Sequence, residues 1–176
     1  DLHLSLRRQR QMCIRDSLVT IPKYRGKTNE QFTRLLLNLT IASLDGRCAT
    51  RRDEGQRLAI LDPLAGRGTT LECAWMAGHD GFGVEQDAKA VEAMAAHVTT
   101  WLRRKRLKHS CGTHPVRRDG HSIGKRFDAE VRLPGAEPLT MGVFTGDAVN
   151  SANLWGRKTF DAIVTDAPYG LSLIHI

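Results

Sequence analysis

A glycine-containing loop directly after a short apolar run is the feature that most constrains the fold of this 176-residue chain. The run Leu58-Ala59-Ile60-Leu61 is too short for a helix and ends at Asp62, so it predicts a buried strand. Gly66 and Gly68 follow, and glycines allow a tight turn and the close approach of a ligand. A helix is predicted next, over 69–77. This order predicts the first strand–loop–helix unit of an α/β protein.

The rest of the chain continues the same alternation. Further strands are predicted at three apolar runs, over 81–85, 140–145 and 161–165. Helices are predicted over 28–44, with Thr28 or Asn29 as the cap, and from a cap at Asp87 through Leu102. The Arg-rich stretch 46–56 is predicted to be a loop, and 109–138 to hold a hairpin arm. We therefore expect an α/β fold, a parallel sheet flanked by helices, with ligands bound at the carboxyl ends of its strands.

Several protein classes are disfavoured by the sequence. It has no apolar run of 18 residues, so no membrane span is expected, and no secretory signal opens it. The four cysteines form no CxxC pair, which favours reduced thiols and a cytoplasmic location. Cys111, His114 and His109 lie close in sequence, but their number and spacing are poor for a metal site, so no metal is expected.

Positive charge is concentrated in one part of the chain. Between Trp101 and Phe127 lie nine basic residues and one acid, Asp119, a net charge of +8 against +7 for the whole chain. Such a cluster attracts phosphate backbones, so nucleic acid is the expected partner. The residues predicted to bind it are Arg103, Arg104, Lys105, Arg106 and Lys108. The alternative is a solvated, poorly ordered basic insertion over about 103–138.

The glycine loop also indicates which ligand the first strand end binds. A dinucleotide fingerprint would have a third glycine, but position 71 is Leu, and the Gly-Lys-Ser/Thr of a P-loop is absent. An acid before the glycines suits a ligand with an ammonium group, as in S-adenosyl-L-methionine. Glu85, after the second strand, can accept both ribose hydroxyls. Asp147 could accept the adenine amino group, while the Ala148 N–H reaches a ring nitrogen. The predicted cofactor-binding residues are Asp62, Gly66, Gly68, Thr69, Glu85, Asp147 and Ala148.

The run Asp166-Ala167-Pro168-Tyr169-Gly170, after the fourth predicted strand, predicts a catalytic turn. An exocyclic amine of a base is a poor nucleophile because its lone pair is delocalised into the ring. A carboxylate and a backbone carbonyl that accept its two hydrogens favour the nucleophilic form, and methyl transfer then needs only positioning and electrostatics. Pro168 stiffens the turn, and Tyr169 offers a face on which an extruded base can stack.

These motifs resemble those of a known group. Asp62-Pro63-x-x-Gly66-x-Gly68-Thr69 is similar to the cofactor loop of amino-methyltransferases, and Asp166-Ala167-Pro168-Tyr169 to their Asp/Asn-Pro-Pro-Tyr motif. The segment 24–32 resembles the one before the cofactor loop in tRNA guanine-N2 methyltransferases, which usually carry an N-terminal THUMP RNA-binding module. The resemblance covers about 20–170. It implies a class I Rossmann-like fold, S-adenosyl-L-methionine as cofactor and N2-methylation of guanosine in tRNA, with Asp166, Pro168 and Tyr169 as the catalytic turn.

The chain departs from this group in two ways, and other functions stay open. Ala167 replaces the usual first proline, and no THUMP module is present in the chain. A DNA adenine-N6 or cytosine-N4 methyltransferase would share the same turn, and a basic nucleic-acid-binding module with a dead catalytic turn is a further alternative. A nicotinamide-dependent dehydrogenase is disfavoured because the third glycine is missing.

Both ends of the chain suggest that only part of a domain is present. Residues 1–17 and 171–176 resemble translated sequencing-adapter read-through, so we expect them to be non-native; the alternative is an Arg-rich arm and a short apolar tail. Residues 18–170 would then be a partial methyltransferase domain whose C-terminal strands are missing. On that basis we expect this 176-residue chain to be inactive by itself and prone to aggregate.

Overall fold

The computed structural model describes residue 18, residues 29–133 and residues 135–167. The two terminal segments expected to be non-native, residues 24–28 of the similar segment, Pro168 and Tyr169 lie outside the described residues. In the described part of the chain, every helix is too short or too polar to be a membrane span.

Helices and strands alternate through most of the described chain. They are α1 Glu30–Ala42, α2 Gly46–Asp53, β1 Ala59–Asp62, α3 Thr69–Met76, β2 Asp80–Glu85, α4 Ala88–Arg104, β3 Lys108–Arg118, β4 His121–Arg132, β5 Leu139–Thr145, α5 Ser151–Trp155 and β6 Ala162–Ile163. A short 3-10 turn, Ala148–Asn150, precedes α5. Asn29 and Asp87 cap α1 and α4, as the sequence predicts, because each side chain accepts a hydrogen bond from a first-turn N–H.

All six strands form one sheet, in the order β3-β4-β5-β2-β1-β6. The four strands β5, β2, β1 and β6 run parallel, whereas the β3–β4 hairpin is antiparallel and pairs with β5 through β4. The expected α/β fold with helices on a mostly parallel sheet is therefore confirmed, and it is compatible with a Rossmann-like fold. The chain passes outward from β1 to β2 and β5, then returns to the other side of β1 as β6. In open α/β sheets this reversal of strand order opens a crevice at the carboxyl ends of the strands.

Each face of the sheet has its own core. On one face, α3 and α4 bury Trp75, Met94 and other apolar side chains against the strands. On the other face, Leu154 and Trp155 of α5 pack against aromatic residues of the sheet, and Trp155 meets Phe82 edge-on at 5.4 Å. Apolar side chains are thereby buried on both faces of the sheet, as parallel strands require, although the Ile163 side chain of β6 stays exposed.

Glycine permits the close approach of α3 to β2. A Cβ on Gly83 would lie 2.7 Å from the Cβ of Ala65, and one on Gly81 would lie 3.0 Å from the Cβ of Leu71. The first distance is too short for two carbon atoms, and the second is tighter than nearly all Cβ contacts in proteins. The absence of side chains at these two strand positions therefore sets how closely α3 and the loop before it pack on the sheet.

One of the sequence predictions needs correction, and another is confirmed. The stretch 46–56, predicted as a loop, contains α2; this short polar helix lacks an apolar period, and Arg52 fixes it by donating to the carbonyl oxygens of Ile41 and Ala42 at the end of α1. The hairpin arm predicted within 109–138 is confirmed, since Lys108–Arg118 and His121–Arg132 form two regular antiparallel strands that extend the sheet. The alternative of a poorly ordered basic insertion does not fit these residues. Helix α5 was not predicted from the sequence.

Candidate functional site

The crevice between β1 and β6 brings together Asp62 and Asp166, which are 104 positions apart in sequence. Leu61 of β1 pairs with Ile163 of β6, and the Val164 N–H donates to the Leu61 carbonyl at 2.9 Å. Asp62 and Asp166 therefore leave neighbouring parallel strands at the same edge of the sheet. Asp166 is half-buried, and Ala167 beside it is exposed.

Asp62 is the last residue of β1 and is 2% exposed. Burial raises the pKa of its carboxyl group, and the charge of Glu85 acts in the same direction. The Thr70 hydroxyl, the Leu64 N–H at 3.0 Å and the Thr165 hydroxyl oppose this rise in pKa because they stabilise the carboxylate. The oxygen of Thr165 is buried and lies near Asp62, although it makes no hydrogen bond of ordinary geometry within the described residues.

Glu85, at the end of β2, joins three of the strand-end loops. One carboxylate oxygen accepts the Gly66 N–H at 2.7 Å and the other accepts the Asp87 N–H at 2.8 Å. The backbone carbonyl of Glu85 accepts the Gly146 N–H at 2.9 Å, which ties the end of β5 to that of β2. A carboxylate has about four lone-pair sites, so roughly two acceptor sites remain after these two bonds. Glu85 can therefore still accept two hydroxyl groups.

The two glycines of the loop have different surroundings. Gly66 has φ +53°, and a Cβ built on it would meet nothing within 4 Å, so open space lies beside the loop. Gly68 has φ +87°, and a Cβ there would lie 2.4 Å from the Met94 sulfur of α4. Gly66 therefore leaves open space beside the loop, whereas Gly68 is required by the packing of α4 on the loop.

The other predicted cofactor residues lie at the same edge. Asp147 follows β5, whose Thr145 pairs with Glu85, and its carboxylate accepts the Val149 N–H at 2.9 Å. Ala148 is half-buried beside it. Thr69 is the buried first residue of α3. The N-cap of this helix is Gly68, which has no side chain to occupy the first-turn N–H groups.

The structure does not bring the predicted nucleic-acid-binding residues to this edge. Arg103 and Arg104 lie in the last turn of α4, and Lys108 pairs with Arg132 near the amino end of β5. All five predicted residues therefore lie at the amino-terminal edge of the sheet, about 20 Å from the crevice at a rise of roughly 3.3 Å per strand residue. The five are Arg103, Arg104, Lys105, Arg106 and Lys108.

Two residues of the site, Thr70 and Thr165, were not predicted from the sequence. Each places a hydroxyl near the Asp62 carboxylate, one from the first turn of α3 and one from the residue before Asp166. A threonine one residue before a motif has no distinctive pattern, so only the pairing of β1 with β6 reveals its role. In the described residues, four parallel strands thus end at one edge of the sheet, where several acidic side chains lie. The glycine loop at this edge has open space beside it, and the Glu85 carboxylate can accept two hydroxyl groups. The chain matches no protein-family model and no curated protein.

Proposed function

We propose that the protein is an S-adenosyl-L-methionine-dependent methyltransferase that acts on an exocyclic amine of a nucleic-acid base, guanine N2 in tRNA. One observation carries the proposal: Asp62 and Asp166 leave adjacent parallel strands at the point where the strand order reverses. This is where open α/β sheets bind their ligands. One acid can thus face the donor while the other faces the acceptor across the same crevice.

The residues of the crevice fit the parts of the cofactor. Asp62 supplies negative charge beside the glycine loop for the ammonium group, and the open space at Gly66 leaves room for the amino-acid end. The remaining acceptor sites of Glu85 match the two vicinal hydroxyls of a ribose. Asp147 lies beside Glu85 at the end of β5, which supports its assignment to the adenine amino group. When bound, the cofactor supplies a methyl group on a positively charged sulfur, which is a good leaving group.

Asp166 is the residue that we assign to the acceptor. Its carboxylate would accept a hydrogen of the amine, which makes the nitrogen lone pair available for attack. The half-buried position of Asp166 excludes part of the surrounding water and so strengthens this interaction. Pro168 and Tyr169 are assigned by the sequence motif, as a stiff turn and a stacking surface for the base.

The choice of tRNA is supported by sequence similarity, since 24–32 resembles a segment of tRNA guanine-N2 methyltransferases. Transfer of labelled methyl groups from S-adenosyl-L-methionine to tRNA and to duplex DNA, followed by nucleoside analysis, tests it with the protein expressed from its complete reading frame. We expect N2-methylguanosine in tRNA. Methylated adenine or cytosine in DNA would contradict the choice of substrate, and cofactor binding without any transfer would favour a catalytically dead module.

The role of Asp166 is tested by the substitution Asp166→Ala. We expect the transfer rate to fall on the order of 100-fold or more, because an electrostatic group at the reacting atoms is lost. The affinity for S-adenosyl-L-methionine, measured by calorimetry, should stay within about twofold, since that ligand is held by the ends of β1, β2 and β5. A matched variant, Asp62→Ala, should weaken cofactor binding. Equal losses of cofactor affinity in the two variants would contradict the division of roles.

A further inference from the structure

The β3–β4 hairpin projects past the edge of the sheet that carries the crevice. Lys125 of β4 pairs with Thr145, the last residue of β5, and with Pro115 of β3. We call residues 116–125 the hairpin tip. It extends about 10 Å beyond the end of β5, given three further residues of β3 at roughly 3.3 Å each. The tip therefore lies on the same side of the molecule as Asp62, Glu85 and Asp166.

The hairpin tip has a defined position. Asp119 and Gly120, with φ +49° and +81°, form a two-residue turn with both residues in the left-handed region, which matches the twist of a hairpin. The Arg118 guanidinium donates to the carbonyl oxygens of Asn153 and Leu154. Val116 and Ile123 pack against the core formed by α5. The tip is thus held against α5 by both polar and apolar contacts.

The charge of the tip is opposite to that of the crevice. Arg117, Arg118 and Lys125 are exposed, His121 is exposed between them, and Asp119 is the single acid of the segment. The two backbone carbonyls that bind Arg118 carry no formal charge, so its positive charge is not neutralised. The carboxylates of the crevice repel phosphate groups. A nucleic acid that brings a base to this edge therefore needs a cationic surface close by.

From this placement we infer that the hairpin tip binds the phosphate backbone of an RNA substrate and positions it over the crevice. The inference rests on the proposed function, and it assigns RNA binding to Arg117 and Lys125 instead of the Arg103–Lys108 run. That run lies at the opposite edge of the sheet. Its distance from the tip, roughly 30 Å along β3, exceeds the Debye length of about 8–10 Å in physiological salt. The two clusters therefore act independently and can be tested separately.

Two double variants that remove equal charge provide the test. Arg117→Gln with Lys125→Gln changes the tip, and Arg103→Gln with Arg104→Gln changes the far edge; Arg118 is left intact because it anchors the tip. Binding of tRNA is measured over a series of salt concentrations, without cofactor, and circular dichroism verifies the fold of each variant. Affinity falls as salt rises, so the slope of log affinity against log salt is negative. We expect the tip variant to reduce the magnitude of this slope by about 1.5, since each lost phosphate contact removes roughly 0.7–0.9. The far-edge variant should leave the slope unchanged.

Any other result of the binding measurements overturns the inference. A smaller salt dependence in the far-edge variant alone would assign RNA binding to that edge. Equal effects in both variants would indicate that the positive charge of the whole surface attracts RNA without a defined site. No effect in either variant, no binding of tRNA by the unaltered protein, or a preference for duplex DNA of equal length would exclude RNA as the ligand of the tip. Cofactor affinity and methyl transfer are measured on the same preparations. A reduced salt dependence in the tip variant, together with no methyl transfer by the protein expressed from its complete reading frame, would contradict the proposed function and still support the tip as an RNA-binding surface.

Discussion

At the scale of single residues, Asp62 combines two conflicting requirements. It is almost fully buried, which raises the pKa of its carboxyl group, yet a carboxylate is the form that can bind an ammonium group. The Leu64 N–H and the hydroxyls of Thr70 and Thr165 offset only part of the cost of burying that charge. The free protein therefore loses stability when Asp62 ionises, and a cationic ligand would recover it.

The substitution Asp62→Asn should show this conflict as a dependence on pH. Because the pKa of Asp62 is raised in the folded protein, its contribution to stability is complete below the unfolded pKa of about 4 and is lost as the pH rises through the folded pKa. Asparagine keeps an acceptor for the Leu64 N–H and cannot ionise. We expect the variant to gain stability relative to the unaltered protein as the pH rises, measured by urea unfolding from pH 4 to pH 8, and to bind S-adenosyl-L-methionine more weakly. A stability difference that is constant with pH would contradict the role assigned to burial.

The two loop glycines provide a matched pair of alanine variants. Gly66→Ala meets only the left-handed backbone strain, a loss of about 1–2 kcal/mol in the free energy of unfolding, because no atom lies within 4 Å of the new Cβ. Gly68→Ala has the same strain and also forces Met94 to move, so we expect a loss roughly 1–3 kcal/mol larger. Cofactor affinity should fall in the folded Gly66→Ala variant, where the methyl group enters the open space beside the loop. Urea unfolding and calorimetry measure both effects. Equal stability losses, or unchanged cofactor affinity in Gly66→Ala, would show that the assignments are wrong.

How far the site could be predicted from the sequence depended on whether a residue belonged to a motif. Asp62, Gly66 and Glu85 follow apolar runs at characteristic positions, and the structure places all three at one edge of the sheet. The hydroxyls of Thr70 and Thr165 could not be predicted, since their role depends on which strand lies next to β1. The separate roles of Gly66 and Gly68 could not be predicted either, because they depend on the packing of α4.

At the scale of secondary-structure elements, Asp161 connects three parts of the fold. Its carboxylate accepts the Arg51 guanidinium of α2 at 2.6 Å and the Ala59 N–H of β1 at 2.7 Å, directly before β6 begins. The side chain is 9% exposed. Helix α2 has no buried apolar residue, so these polar contacts replace the apolar face by which helices usually dock.

Asp161→Ala should therefore lower the free energy of unfolding by about 2 kcal/mol, since it leaves the Ala59 N–H and the Arg51 guanidinium without this acceptor. Asp53→Ala is the control, because the Asp53 side chain is 67% exposed and its ion pair with Arg52 lies at the surface. The control should leave the free energy of unfolding nearly unchanged, because solvent screens this surface ion pair. Urea unfolding of both variants measures the difference. Similar losses in the two variants would mean that Asp161 does not fasten α2 and β6 to β1.

Helices and strands whose apolar residues recur at regular spacing could be predicted from the sequence. Elements held in place by polar contacts could not. The four parallel strands and the helices α1, α3 and α4 follow their apolar patterns closely. Helix α2 was missed because arginines and Asp161 hold it in place. The hairpin was predicted only in outline, although Asp119-Gly120 is a strong signal for a two-residue turn. Its register with β5 depends on contacts between residues that are distant in sequence.

At the scale of the whole molecule, alternating strands and helices predicted the α/β class and a parallel sheet. Both are confirmed for the four neighbouring strands β5, β2, β1 and β6. The sequence did not predict that β3 and β4 would extend this sheet as antiparallel strands. That extension places the basic residues between Trp101 and Phe127 in two groups at opposite edges of the sheet. The net charge of +8 over this stretch does not reveal the separation. The position of a charge in the fold, and not its position in the chain, determines what it can attract.

The turn at Asp119-Gly120 has a consequence for how this protein could change over evolution. It closes the hairpin beyond the ends of all the other strands, and a Cβ on Gly120 would meet nothing within 4 Å. Adding one residue to each strand before the turn would lengthen the arm by about 3.3 Å without altering the register of β4 with β5. Reach toward a distant nucleotide could thus be tuned in small increments, while the ends of β1, β2 and β6 stay as they are.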